Sequence, residues 1–204
     1  MKIEGWFFGL SILLFLFFFL FALFYERNKL STRNLFLYVI LTSFCVLSRL
    51  AFFFIPHVKP MMAMCMMVSS IFGPSLGFLL TSLSVFTSNF FFGHGPWTLW
   101  QMLAFAFSSF LYGLFFYKND RSSFMKALVS FFIYLFVTGP ILDFYALLSM
   151  QSTLTLENVF FFFSMGFFFN LMQASTTFVV ILTLEKSICR KLKRMKSKYE
   201  EELP

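Results

Sequence analysis

The feature that most limits what this chain can become is a succession of long apolar runs broken by short polar connections. A helix needs roughly 20 apolar residues to cross the hydrocarbon core of a bilayer. The 204-residue chain supplies seven apolar segments: Gly5 to Tyr25, Asn34 to Ile55, Met61 to Phe72, Ser75 to Phe92, Thr98 to Tyr117, Ala127 to Met150 and Val159 to Leu184. Hydrophobic residues make up 59% of it and charged residues 12%, where soluble domains carry about 45–50% and about 25%. Too little polar surface remains to coat a water-soluble globule. The expected fold class is an all-α integral membrane protein.

The breaks between segments have chemical reasons. The run from Gly5 exceeds the about 7–15 apolar residues of a signal peptide, and no small-x-small cleavage site follows it; Glu26-Arg27-Asn28-Lys29 follows instead. An uncleaved spanning helix is expected there. Pro56 stops the second segment, because proline lacks an N–H and restricts the residue before it. Gly73-Pro74 and Gly93-His94-Gly95-Pro96 are turn signals, and Gly139-Pro140 predicts a kink inside the sixth segment. The third segment is short. At about 1.5 Å per residue it covers only about 18 Å, so it is either a crossing or a tilted or re-entrant element shielded by protein.

Charge orients the segments. The net charge is +7, with seven of the 16 Lys and Arg residues in the tail from Lys186 to Lys198. Arg27, Lys29 and Arg33 follow the first segment, and Lys118, Arg121 and Lys126 follow the fifth. If all seven segments cross, these connections and the tail share one side, which the positive-inside rule makes cytoplasmic. The N-terminus, the His57–Lys59 connection, the Gly93–Trp97 connection and the Gln151–Asn158 connection then face outside a plasma membrane. No basic patch interleaved with exposed aromatics occurs in a soluble stretch, so nucleic-acid binding is disfavoured.

Polar residues that could carry chemistry are few. Arg49 and Asp143 sit inside apolar segments, at a cost of roughly 2.5–3.5 kcal/mol each at a helix centre. They either pair with each other or meet a ligand. His57 and Lys59 lie between Pro56 and Pro60; Asn89, His94, Trp97, Trp100 and Gln101 surround a Gly-His-Gly-Pro-Trp turn. This set reads either as a ligand site or as an interfacial aromatic belt. Asn170 and Gln173, three residues apart, share a helix face and either line a site or bridge helices. The 37 phenylalanines read as lipid and packing contacts. Cys45, Cys65 and Cys189 form no disulfide or metal pattern, and His57 and His94 lack companions for a metal site. Catalytic motifs are absent, so neither an enzyme nor a cofactor is expected.

Several stretches resemble a known family. They are Ser48-Arg49-Leu50-Ala51-Phe52, Ile55-Pro56-His57-Val58-Lys59-Pro60, Phe72-Gly73-Pro74 with Gly77-Phe78, and the long run from Ser88-Asn89 through Gly93-His94-Gly95-Pro96-Trp97 to Trp100-Gln101-Met102. With Gly166 to Thr176 and the basic tail after it, they resemble the substrate-binding S components of energy-coupling factor (ECF) vitamin transporters, most closely the cobalamin-type branch. The resemblance implies a six-helix S-component bundle that captures a vitamin or vitamin-like molecule, such as a corrinoid, from outside. It also implies delivery through a membrane T component and two ATP-binding subunits. The chain then divides into an extra N-terminal transmembrane helix with its basic connection (1–33), the six-helix membrane domain (34–185) and a basic cytoplasmic tail (186–204). The implied substrate side is built from His57, Lys59, Asn89, His94, Trp97, Gln101, Asp143, Asn170 and Gln173. In place of the alanine-spaced motif by which many such proteins dock on their T component, the second segment offers Thr42, Cys45, Ser48 and Ala51, small residues that let another helix approach closely. Asn170 and Gln173 replace an Asp and a His common in the family, which implies a different substrate. The alternatives from other classes are a membrane-embedded enzyme and a ligand-free scaffold.

Overall fold

The computed structural model describes residues 32–150 and 155–200, together with Gly9, Leu13 and Leu16. The expected first span, Gly5 to Tyr25, apart from those three residues, and half of the Gln151–Asn158 connection lie outside the described residues. Over the rest, the chain is an all-α membrane protein of six helices: α1 Thr32–Leu50, α2 Met61–Phe72, α3 Pro74–Phe92, α4 Trp97–Phe116, α5 Ser123–Met150 and α6, which begins at Leu156 and runs to Glu200. By length and apolar composition, α3, α4, α5 and α6 can each cross a membrane.

Proline and glycine set most of the boundaries. Gly73 holds φ at 106°, a value only glycine adopts freely, and so turns α2 directly into Pro74 at the start of α3. Pro60 and Pro96 precede α2 and α4. Ser122 caps α5 by accepting the Met125 N–H at 3.3 Å. The expected irregularity at Gly139-Pro140 is a π-helical turn over Tyr134–Thr138. Pro140 has no N–H for the Phe136 carbonyl, and the Gly139 N–H bonds instead to the Tyr134 carbonyl, one residue further back than in an α-helix.

Two boundaries differ from the sequence reading. The second apolar segment was expected to be helical to Ile55, but α1 ends at Leu50. The carbonyls of Phe52, Phe53 and Ile55 bond to the Lys59 ammonium rather than to helical amides, so residues 51–59 form a looped connection. At the other end of the chain, α6 continues unbroken through the basic tail. Lys and Arg are good helix formers, and a 45-residue helix far exceeds the about 20 residues a crossing needs.

The core explains the short third segment. α2 is buried from Met61 to Ser70 and packs against α1, α3, α4 and α6. It is an axial element wrapped by the longer helices. Ser69 of α2 fits between Gly77 of α3 and Gly113 of α4, where a Cβ on either glycine would collide with it. Tyr112, Met61, Met62, Met66 and Met67 fill the space around α2.

Long-range hydrogen bonds sort the helix ends into two groups. One group joins Arg49, Lys59, Asn89, Gln101 and Gln173. The other joins Ile71, Lys126, Glu185 and Lys196, beside Lys118, Arg121 and the basic stretch of α6. These are termed the cavity end and the basic end.

Candidate functional site

At the cavity end the helices part around a space of about 510 Å³. Phe53, Pro56, His57 and Lys59 of the loop after α1 form one wall; Met61 and Met62 of α2 form its floor. Arg49, Phe92, Gln101 and Phe105 come from α1, α3 and α4; Tyr134, Leu142 and Gln173 come from α5 and α6. Aromatic and thioether surface interrupted by a few fixed polar groups is the usual make-up of a small-molecule site, and the volume falls within the roughly 300–1,000 Å³ of such sites.

The wall is built on a hydrogen-bond chain. Arg49, only 9% exposed, donates through Nη1 to Ser88 Oγ at 2.5 Å and to Asn89 Oδ1 at 2.9 Å. Asn89 Nδ2 in turn donates to Thr98 Oγ1 at 3.1 Å and to Gln101 Oε1 at 3.0 Å. These bonds tie α1 to α3 and α3 to α4, and they fix the orientation of the Gln101 amide. The Arg49 guanidinium lies 4.3 Å from the centroid of the Phe92 ring, and the Lys59 ammonium lies 5.3 Å from the same centroid. Both cations are therefore held against one aromatic ring.

The loop is clamped from two directions. Its own Lys59 ammonium binds three of its carbonyls. Across the cavity, the Lys59 N–H donates to Gln173 Oε1 at 3.2 Å, and Gln173 Nε2 donates to the Lys59 carbonyl at 2.6 Å. This reciprocal pair anchors the loop to α6. His57, with φ at 54°, stacks on Phe169 of α6 at 4.3 Å between ring centroids. Burial, and then repulsion from Arg49, hold the Lys59 ammonium below its usual pKa.

The residues singled out from sequence fall into three places. His57, Lys59, Gln101 and Gln173 line the cavity, and Asn89 stands directly behind it. Asp143 and Asn170 form a pair beside it, with Asn170 Nδ2 donating to Asp143 Oδ2 at 2.7 Å. Gly139 and Gly166 leave the room for these two side chains. His94 packs instead on Phe86 and Phe90, at 5.0 and 4.6 Å, and Trp97 folds over Gly95; neither lines the cavity. Arg49 and Asp143 have separate partners rather than each other.

Of the expected docking residues, Thr42 and Ser48 are half-buried and Ala51 is exposed. Cys45 is a correction: it is 1% exposed and belongs to the core, because it shares with Leu41 the face of α1 turned into the bundle. Phe92, Phe53, Phe105 and Tyr134 had no distinguishing signal among so many aromatics. Only the Arg49 position, a charge inside an apolar run, marked α1 as contributing to this end.

Comparisons with known proteins agree with this architecture. The family described as "ECF-type riboflavin transporter, S component" matches residues 29–190. No curated protein and no solved structure matches the chain significantly. The family match begins just before α1 and covers all six helices, ending within the basic stretch of α6. It names a riboflavin-type group, whereas the sequence motifs had suggested the cobalamin branch. A transporter component family is not an enzyme family, and its members work in membranes. With a match spanning most of its length, this chain belongs to the ECF-type riboflavin transporter S component family.

Proposed function

We propose that the chain is the substrate-capturing subunit of an ECF-type importer and that the cavity between the 51–59 loop, α4, α5 and α6 receives a flavin-class vitamin. The observation that carries this reading is the coincidence of a family match over residues 29–190 with a cavity of about 510 Å³ whose wall amides, Gln101 and Gln173, are held by hydrogen bonds. Phe53 and Phe92, packed on each other at 4.9 Å between centroids, and Phe105 offer aromatic surface to a flat ring system, and fixed amides match the carbonyls and ring nitrogens at a flavin's edge. A corrinoid, the class suggested by the sequence motifs, is far bulkier than this space, so volume favours the flavin.

In this reading the cavity end faces outside and the basic end faces the cytoplasm, as the positive-inside rule requires. The substrate then passes to a membrane T component driven by two ATP-binding subunits, and the chain itself hydrolyses nothing. Residues 34–185 form the binding domain. Residues 1–33 add one crossing that puts the N-terminus outside, and 186–204 form a cytoplasmic tail. Thr42 and Ser48 of α1 and Ala51 just after it remain accessible for docking.

The test is direct. The full chain, purified in detergent, should carry or bind riboflavin saturably at one molecule per chain, read by quenching of flavin fluorescence. Gln173→Ala should weaken that binding. If no flavin co-purifies, titration with riboflavin gives no saturation and cyanocobalamin does saturate, the flavin assignment is wrong.

A further inference from the structure

The cavity end holds a buried positive charge that no carboxylate among the described residues pairs with. Arg49 is 9% exposed, and its two hydrogen-bond partners, Ser88 and Asn89, are neutral. Only Nη1 is engaged; Nε and Nη2 have no hydrogen-bond partner among the described residues. A buried cation without a carboxylate is costly. The same chain avoids that cost elsewhere: Lys126, also buried, meets Glu185 at 2.6 Å.

Arg49 is moreover part of the cavity wall, beside a second cation. Lys59 shares the Phe92 ring with it, and no Asp or Glu is among the described residues that line the space. Two like charges therefore face one cavity. The free edge of a guanidinium, two parallel N–H groups, fits two oxygens of a phosphate or carboxylate.

We propose that the ligand of this cavity carries an anionic group, a phosphate ester foremost, and that Arg49 is the residue that selects for it, with Lys59 adding the second positive charge. The inference rests on the cavity being the substrate site. The uncharged part of the ligand lies against Phe53, Phe92 and Phe105, with Gln101 and Gln173 at its edge. Serine and asparagine suffice as partners for Arg49 because the counter-charge arrives with the ligand.

Riboflavin and riboflavin 5′-phosphate share their rings and differ by one phosphate, which makes them matched probes. Titrated against the full chain in detergent at low salt, the phosphate ester should bind about tenfold or more tightly, the range expected for charge-assisted bonds. Arg49→Gln should bring the two probes level, the ratio of their affinities rather than either affinity alone being the readout. Arg49→Lys, which keeps the charge and loses the fork, should retain part of the preference. Equal or weaker binding of the phosphate ester by the unaltered chain overturns the proposal, and so does a preference that survives Arg49→Gln. If Arg49→Gln proves polydisperse, Arg49→Lys alone decides: an undiminished preference overturns the selecting role. If neither flavin binds, the flavin reading fails separately, and inorganic pyrophosphate becomes the probe. A rise in melting temperature in the unaltered chain that is smaller in Arg49→Lys supports the anion site; no rise in the unaltered chain, or an undiminished rise in Arg49→Lys, overturns it.

Discussion

The two ends of the bundle treat buried charge in opposite ways. At the basic end, Lys126 and Glu185 are each 8% exposed at the side chain and lie 2.6 Å apart. Ser123 donates to the second Glu185 oxygen at 2.8 Å, and Asp120 stands 3.6 Å from the ammonium. Lys196 closes the same end by donating to the Ile71 carbonyl at 3.0 Å. Nothing there asks for a ligand. At the cavity end, Arg49 has only neutral partners and borders open space. A closed ion pair fixes a helix contact, whereas an open one leaves a place for an incoming charge. The difference separates an end whose buried charge is closed by an ion pair from an end that, in the proposed function, receives a ligand.

Breaking the closed pair should have the largest effect. Lys126→Met strands Glu185 in the interior and should cost about 3–5 kcal/mol, seen as a drop in melting temperature in detergent. The double change Lys126→Met with Glu185→Leu should recover most of that loss, since well-packed apolar residues often replace a buried pair without penalty. Arg49→Met removes a charge without stranding another, so its stability cost should be smaller, about 1–2 kcal/mol for the lost hydrogen bonds. A cost equal to that of Lys126→Met would erase the distinction between the ends. Gln173→Ala should cost about 1 kcal/mol and speed proteolysis of the 51–59 loop, because it releases both bonds to Lys59. Lys196→Ala, at the rim of the basic end, should cost about 0.5–1 kcal/mol and leave ligand binding unchanged.

Much of this contrast was present in the sequence, but not all of it could be read there. The apolar runs and the Gly73-Pro74 and Gly139-Pro140 breaks predict the helices from local chemistry alone. The loop after Leu50 was missed because its carbonyls are satisfied by Lys59, a contact that hydropathy does not register. The continuation of α6 was missed because polarity ends an apolar run without ending a helix. His57, Lys59, Gln101 and Gln173 stood out as polar groups in apolar surroundings, and they reach the cavity. Arg49 stood out for the same reason, yet its partners lie 39 and 40 residues away, and no spacing rule links them. His94 looked equally eligible, but it packs back on Phe86 and Phe90 of α3, the helix just before it, and so stays away from the cavity. Phe92 and Tyr134 were hidden by the abundance of aromatics.

In the proposed orientation the cavity end takes substrate from outside while the basic end lies in the cytoplasm. The native cysteines Cys45, Cys65 and Cys189 are all buried, so a single introduced thiol can be followed. His57→Cys at the cavity end and Lys118→Cys at the basic end should be exposed to a membrane-impermeant maleimide in intact cells. The first should be labelled from outside and protected by added flavin, and the second only after the cells are permeabilised. Labelling at Lys118→Cys from outside, with His57→Cys silent until permeabilisation, would contradict that orientation.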